Sequence, residues 1–201
     1  MCQFIETIRI EHGQANNLCY HERRLNNTLS HFFGTGSNIQ LKDYLLLTPD
    51  MHETKCRIIY GEKGISDVSY SRYTPRPVRS LRMVCADNID YAYKSADRSA
   101  INQLFGLRGE QDDILIVRQG LLTDTSIANI ALYDGSYWHT PCHPLLKGTR
   151  RESLIDRGIL KETDITPEMM NMFSRIRLFN AMIDWDAQEL PIESVWLPSG
   201  Q

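Results

Sequence analysis

The stretch Asp113-Ile114-Leu115-Ile116-Val117-Arg118-Gln119-Gly120-Leu121-Leu122-Thr123-Asp124 continues as Thr125-Ser126-Ile127-Ala128-Asn129-Ile130-Ala131-Leu132-Tyr133-Asp134-Gly135-Ser136-Tyr137-Trp138, and it alternates short apolar runs with turn signals. Gln119-Gly120 separates the first two runs. Asp134-Gly135, set between apolar runs, is a dipeptide that two-residue hairpin loops favour, because their central positions need positive φ. Runs this short, rich in Ile, Leu and Val, are strands rather than helices. The middle of the chain is therefore expected to be a series of antiparallel strands.

Toward the amino terminus, Phe4 to Ile10 alternates like a half-buried strand, and Gly13 with Asn16-Asn17 reads as a turn. Tyr20 to Phe33 places Leu25, Leu29 and Phe32 or Phe33 at helical spacing, closed by Gly34-Thr35-Gly36. Arg57-Ile58-Ile59-Tyr60 and Val68-Ser69-Tyr70 read as strands about a glycine-containing turn, and Tyr73-Thr74-Pro75-Arg76-Pro77 breaks the pattern. The boundary placed there gives a small α/β lobe over residues 1–80 and a larger lobe over 81–201 that carries Lys94. Ser95 to Leu107 predicts a helix starting directly after Lys94, with Ala96, Ala100, Ile101, Leu104 and Phe105 on its apolar side. Glu152 to Arg157 and Pro167 to about Phe173 also read as helical, the latter capped by Thr166. The class is α+β, without internal repeats.

The 201 residues are 42% hydrophobic, enough to bury a core. Net charge is −3, with 22 basic and 25 acidic residues intermixed, so no basic stripe marks a nucleic-acid or anionic-membrane partner. No apolar run is long enough to span a bilayer, and the first residues lack the pattern of an export signal; a cytoplasmic protein is expected. Cys2, Cys19, Cys56, Cys85 and Cys142 are widely spaced, with no C-x-x-C, as suits reduced thiols. His139, Cys142 and His143 are the nearest thing to a metal cluster, but they sit in a proline-marked loop without a fourth ligand, and no metal site is expected.

Four elements carry chemistry. Lys94 stands at a strand end where its amine can act as a nucleophile if burial or a cationic neighbour depresses its pKa, although a lysine taken singly reads as solvated and only its companions change that. Asp124, in the bend between two apolar strands, can hold a cationic nitrogen or simply form the turn. Gly148-Thr149-Arg150-Arg151 opens a helix whose free amides suit a phosphate, and two arginines where the helix dipole disfavours them favour an anion there. In His21-Glu22-Arg23-Arg24-Leu25, Arg24 can reach a phosphate with its fork, or lie on the wet face of the helix.

In this order the elements resemble the class IV aminotransferase family, the fold-type IV pyridoxal phosphate enzymes. That family shows H-x-x-R-L, a lysine opening a helix, an acid five residues before an asparagine, W-x-T-P and G-x-x-R. Here these are His21 to Leu25, Lys94, Asp124 to Asn129, Trp138 to Pro141 and Gly148 to Arg151. The resemblance implies two lobes like those of D-amino acid aminotransferase, the second barrel-like, and a homodimer. It implies pyridoxal 5'-phosphate as cofactor, with Lys94 as its Schiff-base lysine and proton shuttle, Asp124 on the pyridine nitrogen and Arg24 on the phosphate. Ser126, Ile127, Ala128, Thr149 and Arg150 would complete the phosphate and substrate contacts.

Within the family, Lys94-Ser95-Ala96-Asp97-Arg98, Ala128-Asn129 and Phe179-Asn180-Ala181-Met182 are similar to the aminodeoxychorismate lyase branch. That likeness implies conversion of 4-amino-4-deoxychorismate to p-aminobenzoate and pyruvate in folate synthesis. An aminotransferase acting on a branched-chain or D-amino acid, and a catalytically silent binding protein, are the alternatives. The dicarboxylate substrate calls for cations, for which Arg72 and Arg76 are the candidates. The chain departs from the family in a shorter amino-terminal lobe, in Asp124 where glutamate is usual, and in Arg150 where a smaller residue is usual.

Overall fold

Alternation along Phe4–Glu11 sends Phe4, Glu6, Ile8 and Ile10 to one buried face, and this strand, β1, is the centre of the amino-terminal unit. The computed structural model describes residues 2–34 and 38–197. Its chain divides into two compact units: Met1–Pro75 with Tyr93–Asp97, and Arg76–Ala92 with Arg98–Gln201.

In the first unit β1 turns through Gly13 into β2 (Gln14–Ala15), and α1 (Leu18–Phe33) follows. His21, Leu25, Thr28 and Leu29 are the buried residues of α1, the one-sided spacing that lets it lie on a sheet. Gly34 ends the helix in the left-handed region (φ 64°), and its N–H donates to the Ser30 carbonyl. Thr35 and Gly36, expected in the same stop, lie outside the described residues. β3 (Thr54–Gly61) and β4 (Gly64–Arg72) complete an antiparallel sheet in the order β2-β1-β3-β4. Leu25, Leu29, Ile8, Ile10, Ile58 and Tyr60 make its core.

The helix expected from Ser95 does not start there. The Ile5 N–H donates to the Lys94 carbonyl and the Ala96 N–H to the Gln3 carbonyl, each at 2.9 Å, and Phe4 bridges Ser95. Backbone groups committed to β1 cannot close helical turns, so residues 93–97 belong to the first unit instead of the second, and helix begins only at Ser99.

The second unit runs β5 (Leu81–Cys85), α2 (Ser99–Phe105), β6 (Asp113–Arg118), β7 (Leu121–Thr125), β8 (Asn129–Tyr133), β9 (Trp138–Pro141), α3 (Thr149–Asp156), β10 (Leu160–Thr163), β11 (Arg175–Phe179), β12 (Glu189–Pro191) and β13 (Val195–Trp196). Both faces of β6 are covered: Leu115 and Val117 join one core, Ile114 and Ile116 another that includes Ile101 of α2. This double burial is why Ile114–Val117 reads as an unbroken apolar run. The strands form one nine-stranded sheet, β10-β9-β8-β7-β6-β5-β13, with β11 pairing β8 and β12. Among the described residues no strand pairing joins β10 to β13, the two ends of this path. Pro167–Met172 winds as a 3-10 segment instead of an α-helix; Thr166 makes no side-chain cap bond and serves the Glu168 carboxylate.

Candidate active site

β1 and α1 face each other through charge in the first unit. Glu6 on β1 is fully buried; Arg24 donates from Nε to Oε1 at 2.8 Å and from Nη2 to Oε2 at 2.6 Å, and His21 Nδ1 lies 2.6 Å from Oε2. Burial alone would raise the Glu6 carboxyl, but the Arg24 charge and the bonds from His21 and Arg24 hold it down at about 2. Burial lowers His21; the Glu6 carboxylate opposes this, and the Arg24 and Lys94 charges add to it. The structure thus brings Lys94 and Arg24 into the field of one buried histidine. Arg72, a substrate-cation candidate, lies on β4 with its side chain 84% exposed, 3.9 Å from Glu53.

The second unit holds Asp124 at the end of β7, paired in register with Asn129 on β8. Asn129 Nδ2 donates to Asp124 Oδ1 at 2.8 Å and to the Leu146 carbonyl at 2.9 Å, while the Leu146 N–H donates to Asp124 Oδ2 at 2.9 Å. Burial pushes the Asp124 carboxyl up to about 6, against the pull of the Leu146 N–H, Asn129 and the Arg151 charge. A carboxylate so held is costly to charge without a cation and suits one that binds there.

The bend after Asp124 differs from expectation. Thr125 Oγ1 accepts the Ala128 N–H at 3.0 Å and the Ile127 N–H at 3.3 Å, and Asp113 Oδ1 accepts the Ser126 N–H at 3.3 Å. All three amides are therefore committed within the protein, whereas the sequence had offered them to a phosphate. Arg98 Nη2 donates to the Ser126 carbonyl at 2.7 Å and Asn180 Nδ2 to the Ile127 carbonyl at 2.9 Å, so the bend is tied from outside as well.

Gly148 precedes α3, which opens with buried Thr149. Arg150 pairs with Asp184; Arg151, 2% exposed, donates to the Pro141 carbonyl at 2.7 Å and to Glu162 at 2.6 Å. The two arginines whose placement favours a bound anion thus have carboxylate partners from the chain itself, although Nε of each is buried without a hydrogen-bond acceptor. Arg76, the other substrate-cation candidate, donates to Asp113 at 2.7 Å and to the Asp112 carbonyl and lies over the Phe105 ring, a structural role. His139 contacts Thr163 Oγ1 and Asp134 Oδ2, each at 2.8 Å.

Glu6 and the Leu146 amide were missed, and Arg98 was read only as the end of the Lys94–Arg98 motif, without its bond to the bend. Glu6 had a signal: an acid at an inward position of an alternating strand needs a cation, and Arg24 supplies it. The Leu146 amide had none, because it lies 22 residues from Asp124.

Among known proteins, the family described as amino-transferase class IV matches residues 93–188. An uncharacterized protein of Haemophilus influenzae is 35% identical over 186 residues, covering 90% of this chain and 98% of that protein. The crystal structure of a Haemophilus somnus protein, provisionally named a 4-amino-4-deoxychorismate lyase, superposes with a TM-score of 0.82 at 34% identity, covering 90% of this chain and 97% of the other. An aminotransferase from Brucella abortus, bound to pyridoxal phosphate, has the same fold: TM-score 0.72 at 14% identity, over 99% of this chain and 84% of that one. With about a third of its positions identical to relatives aligned over nine-tenths of its length, this chain belongs to the class IV aminotransferase family.

Proposed function

We propose that this chain is a pyridoxal 5'-phosphate-dependent lyase that converts 4-amino-4-deoxychorismate to p-aminobenzoate and pyruvate. The observation that carries the cofactor assignment is the buried Asp124 clamp. A cationic ring nitrogen would offset the burial that makes this carboxylate hard to charge. The Gly148-Thr149 entry to α3 and the orphaned Arg150 Nε suit an anionic group. The residues therefore fit the cofactor.

When bound, the cofactor supplies an electron sink for bond cleavage next to the substrate nitrogen. Lys94 Nζ would hold the cofactor, and once the substrate amino group had displaced it the freed amine would take the ring proton of the substrate as general base. Asp124 would keep the cofactor nitrogen protonated. Arg24, steadied by Glu6, would give positive charge to the phosphate, and the Thr149 and Arg150 turn would add donors. Ser126, Ile127 and Ala128 act through the shape of the bend, since their amides are spent. The likeness of Lys94–Arg98, Ala128-Asn129 and Phe179–Met182 to the lyase branch, and the provisional name of the Haemophilus somnus relative, favour lyase over aminotransferase.

The test is to add pyridoxal phosphate to the wild type and to Lys94→Ala. A visible band that borohydride bleaches, absent from the variant, and a mass increase on the Lys94 peptide after reduction are expected; a flat spectrum in both proteins overturns the enzyme assignment and leaves a binding protein. Pyruvate and p-aminobenzoate released from 4-amino-4-deoxychorismate alone would mark the lyase, and an amino group passed to a keto acid would mark the aminotransferase.

The chain is also assigned as a cytosolic homodimer. Phe32, Tyr44, Leu46 and Leu47 are exposed on the first unit, and apolar surface of this kind favours self-association. All five cysteines are unpaired, as suits a reducing compartment. A monomer in sedimentation would count against the dimer.

A further inference from the structure

We propose that Asn129 is a positioning residue that fixes Asp124 and the turn entering α3 together, and that residue 148 is glycine to make room for it. This rests on the cofactor assignment above. Asn129 is 5% exposed and has only two amide hydrogens to give. Both acceptors recorded for them belong to the proposed cofactor-binding segment: Asp124 Oδ1 and the Leu146 carbonyl. The Leu146 N–H returns to the other oxygen of Asp124, so side-chain amide, carboxylate and peptide form a closed ring. A carboxylate gripped by donors from β8 and from the 145–148 segment cannot turn about its Cβ–Cγ bond without breaking one of them. The same grip sets the backbone two residues before Gly148 and three before Thr149.

The glycine is the independent observation. Gly148 has φ −73° and ψ 143°, extended backbone open to any residue, so conformation does not call for glycine there. Space does. A Cβ at this position would overlap Asn129 Oδ1, and the three nearest atoms it would meet all belong to the Asn129 side chain. Glycine at 148 is thus explained by Asn129 alone, and Asn129 by the two groups it holds.

Any side chain at 148 should therefore act by displacing Asn129. The experiment compares wild type, Asn129→Ala, Gly148→Ala and the double variant by their dissociation constants for pyridoxal 5'-phosphate, the pH midpoint of the bound-cofactor absorbance, and the melting temperature without cofactor. Each single variant is expected to bind roughly tenfold or more weakly, as for loss of a hydrogen bond to a charged group, and to move the absorbance midpoint. The double variant should bind no worse than Asn129→Ala, because the clash is gone with the side chain. Asn129→Ser, with the same expected loss, serves where Asn129→Ala does not fold. Wild-type affinity in Asn129→Ala or in Asn129→Ser, or a Gly148→Ala penalty that persists in the Asn129→Ala background, overturns the proposal while leaving the cofactor assignment intact. A wild-type protein that takes up no pyridoxal phosphate overturns both.

Discussion

Arg24 meets Glu6 through two nitrogens and two oxygens, at 2.8 and 2.6 Å, and the carboxylate it meets has no solvent exposure. His21 shares one of those oxygens. The arginine most closely tied to the proposed phosphate role is therefore aimed by a buried acid on the neighbouring strand. Glu6→Gln would leave the guanidinium without its charge partner, and stability should fall by about 3 kcal/mol, the usual cost of breaking a buried pair from one side. Urea denaturation measures it; a loss under ~1 kcal/mol would mean that solvent reaches the pair.

The same carboxylate sets an acid limit. Its value lies at about 2 in the fold against an ordinary 4.5, so the folded form resists protonation. The stability it contributes is fully present above about pH 4.5 and is lost as the pH falls through 2, amounting to about 3 kcal/mol. Unfolding followed between pH 5 and 2 should show this loss, and Glu6→Gln should lack it.

Asp124 has the opposite sign. Its folded value is raised from 3.8 to about 6, so its contribution is complete below about pH 3.8 and is lost as the pH rises through 6. In cofactor-free protein that loss is about 3 kcal/mol. Asp124→Ala removes the titration, and its stability curve from pH 4 to 7 should be flatter than that of the wild type. Parallel curves would show that the carboxylate is not desolvated.

Arg76 and Arg72 separate structure from substrate binding. Arg76→Ala leaves buried Asp113 with the Ile114 and Ser126 amides and no charge partner among the described residues, and should cost about 2 kcal/mol, with cofactor uptake preserved. Arg72→Ala, at an 84% exposed side chain, should leave the melting temperature unchanged. A rise in substrate KM at unchanged stability for either variant would return it to the substrate-binding role.

Local signals carried far in this chain, and stopped where contacts become long-range. Gln119-Gly120 was legible as a turn, and both residues have positive φ (52° and 75°). Asp124 and Asn129 were legible only as members of one motif, an acid five residues before an asparagine; that they stand opposite each other comes from the tight bend between β7 and β8. The fate of the 126–128 amides was not legible, since Asp113 and Thr125 claim them through folding of the whole bend. The helix after Lys94 was misplaced for a related reason: Ala96 has high helix propensity, and pairing of the Lys94–Ala96 backbone with the start of the chain overrode it there. Arg76 looked like a ligand cation because Asp113, 37 residues away, gave no sign of needing one.

The chain leaves the first unit after Pro75, returns for Tyr93–Asp97 and departs again at Arg98. Lys94 rides on that return. Severing the backbone once at Pro75 would strip the amino-terminal fragment of a strand partner of β1 and leave the lysine on the other piece. The two units are thus unsuited to exchange as cassettes by a single crossover, and a functional split of this protein would require the fragments to re-thread a five-residue loan from one to the other.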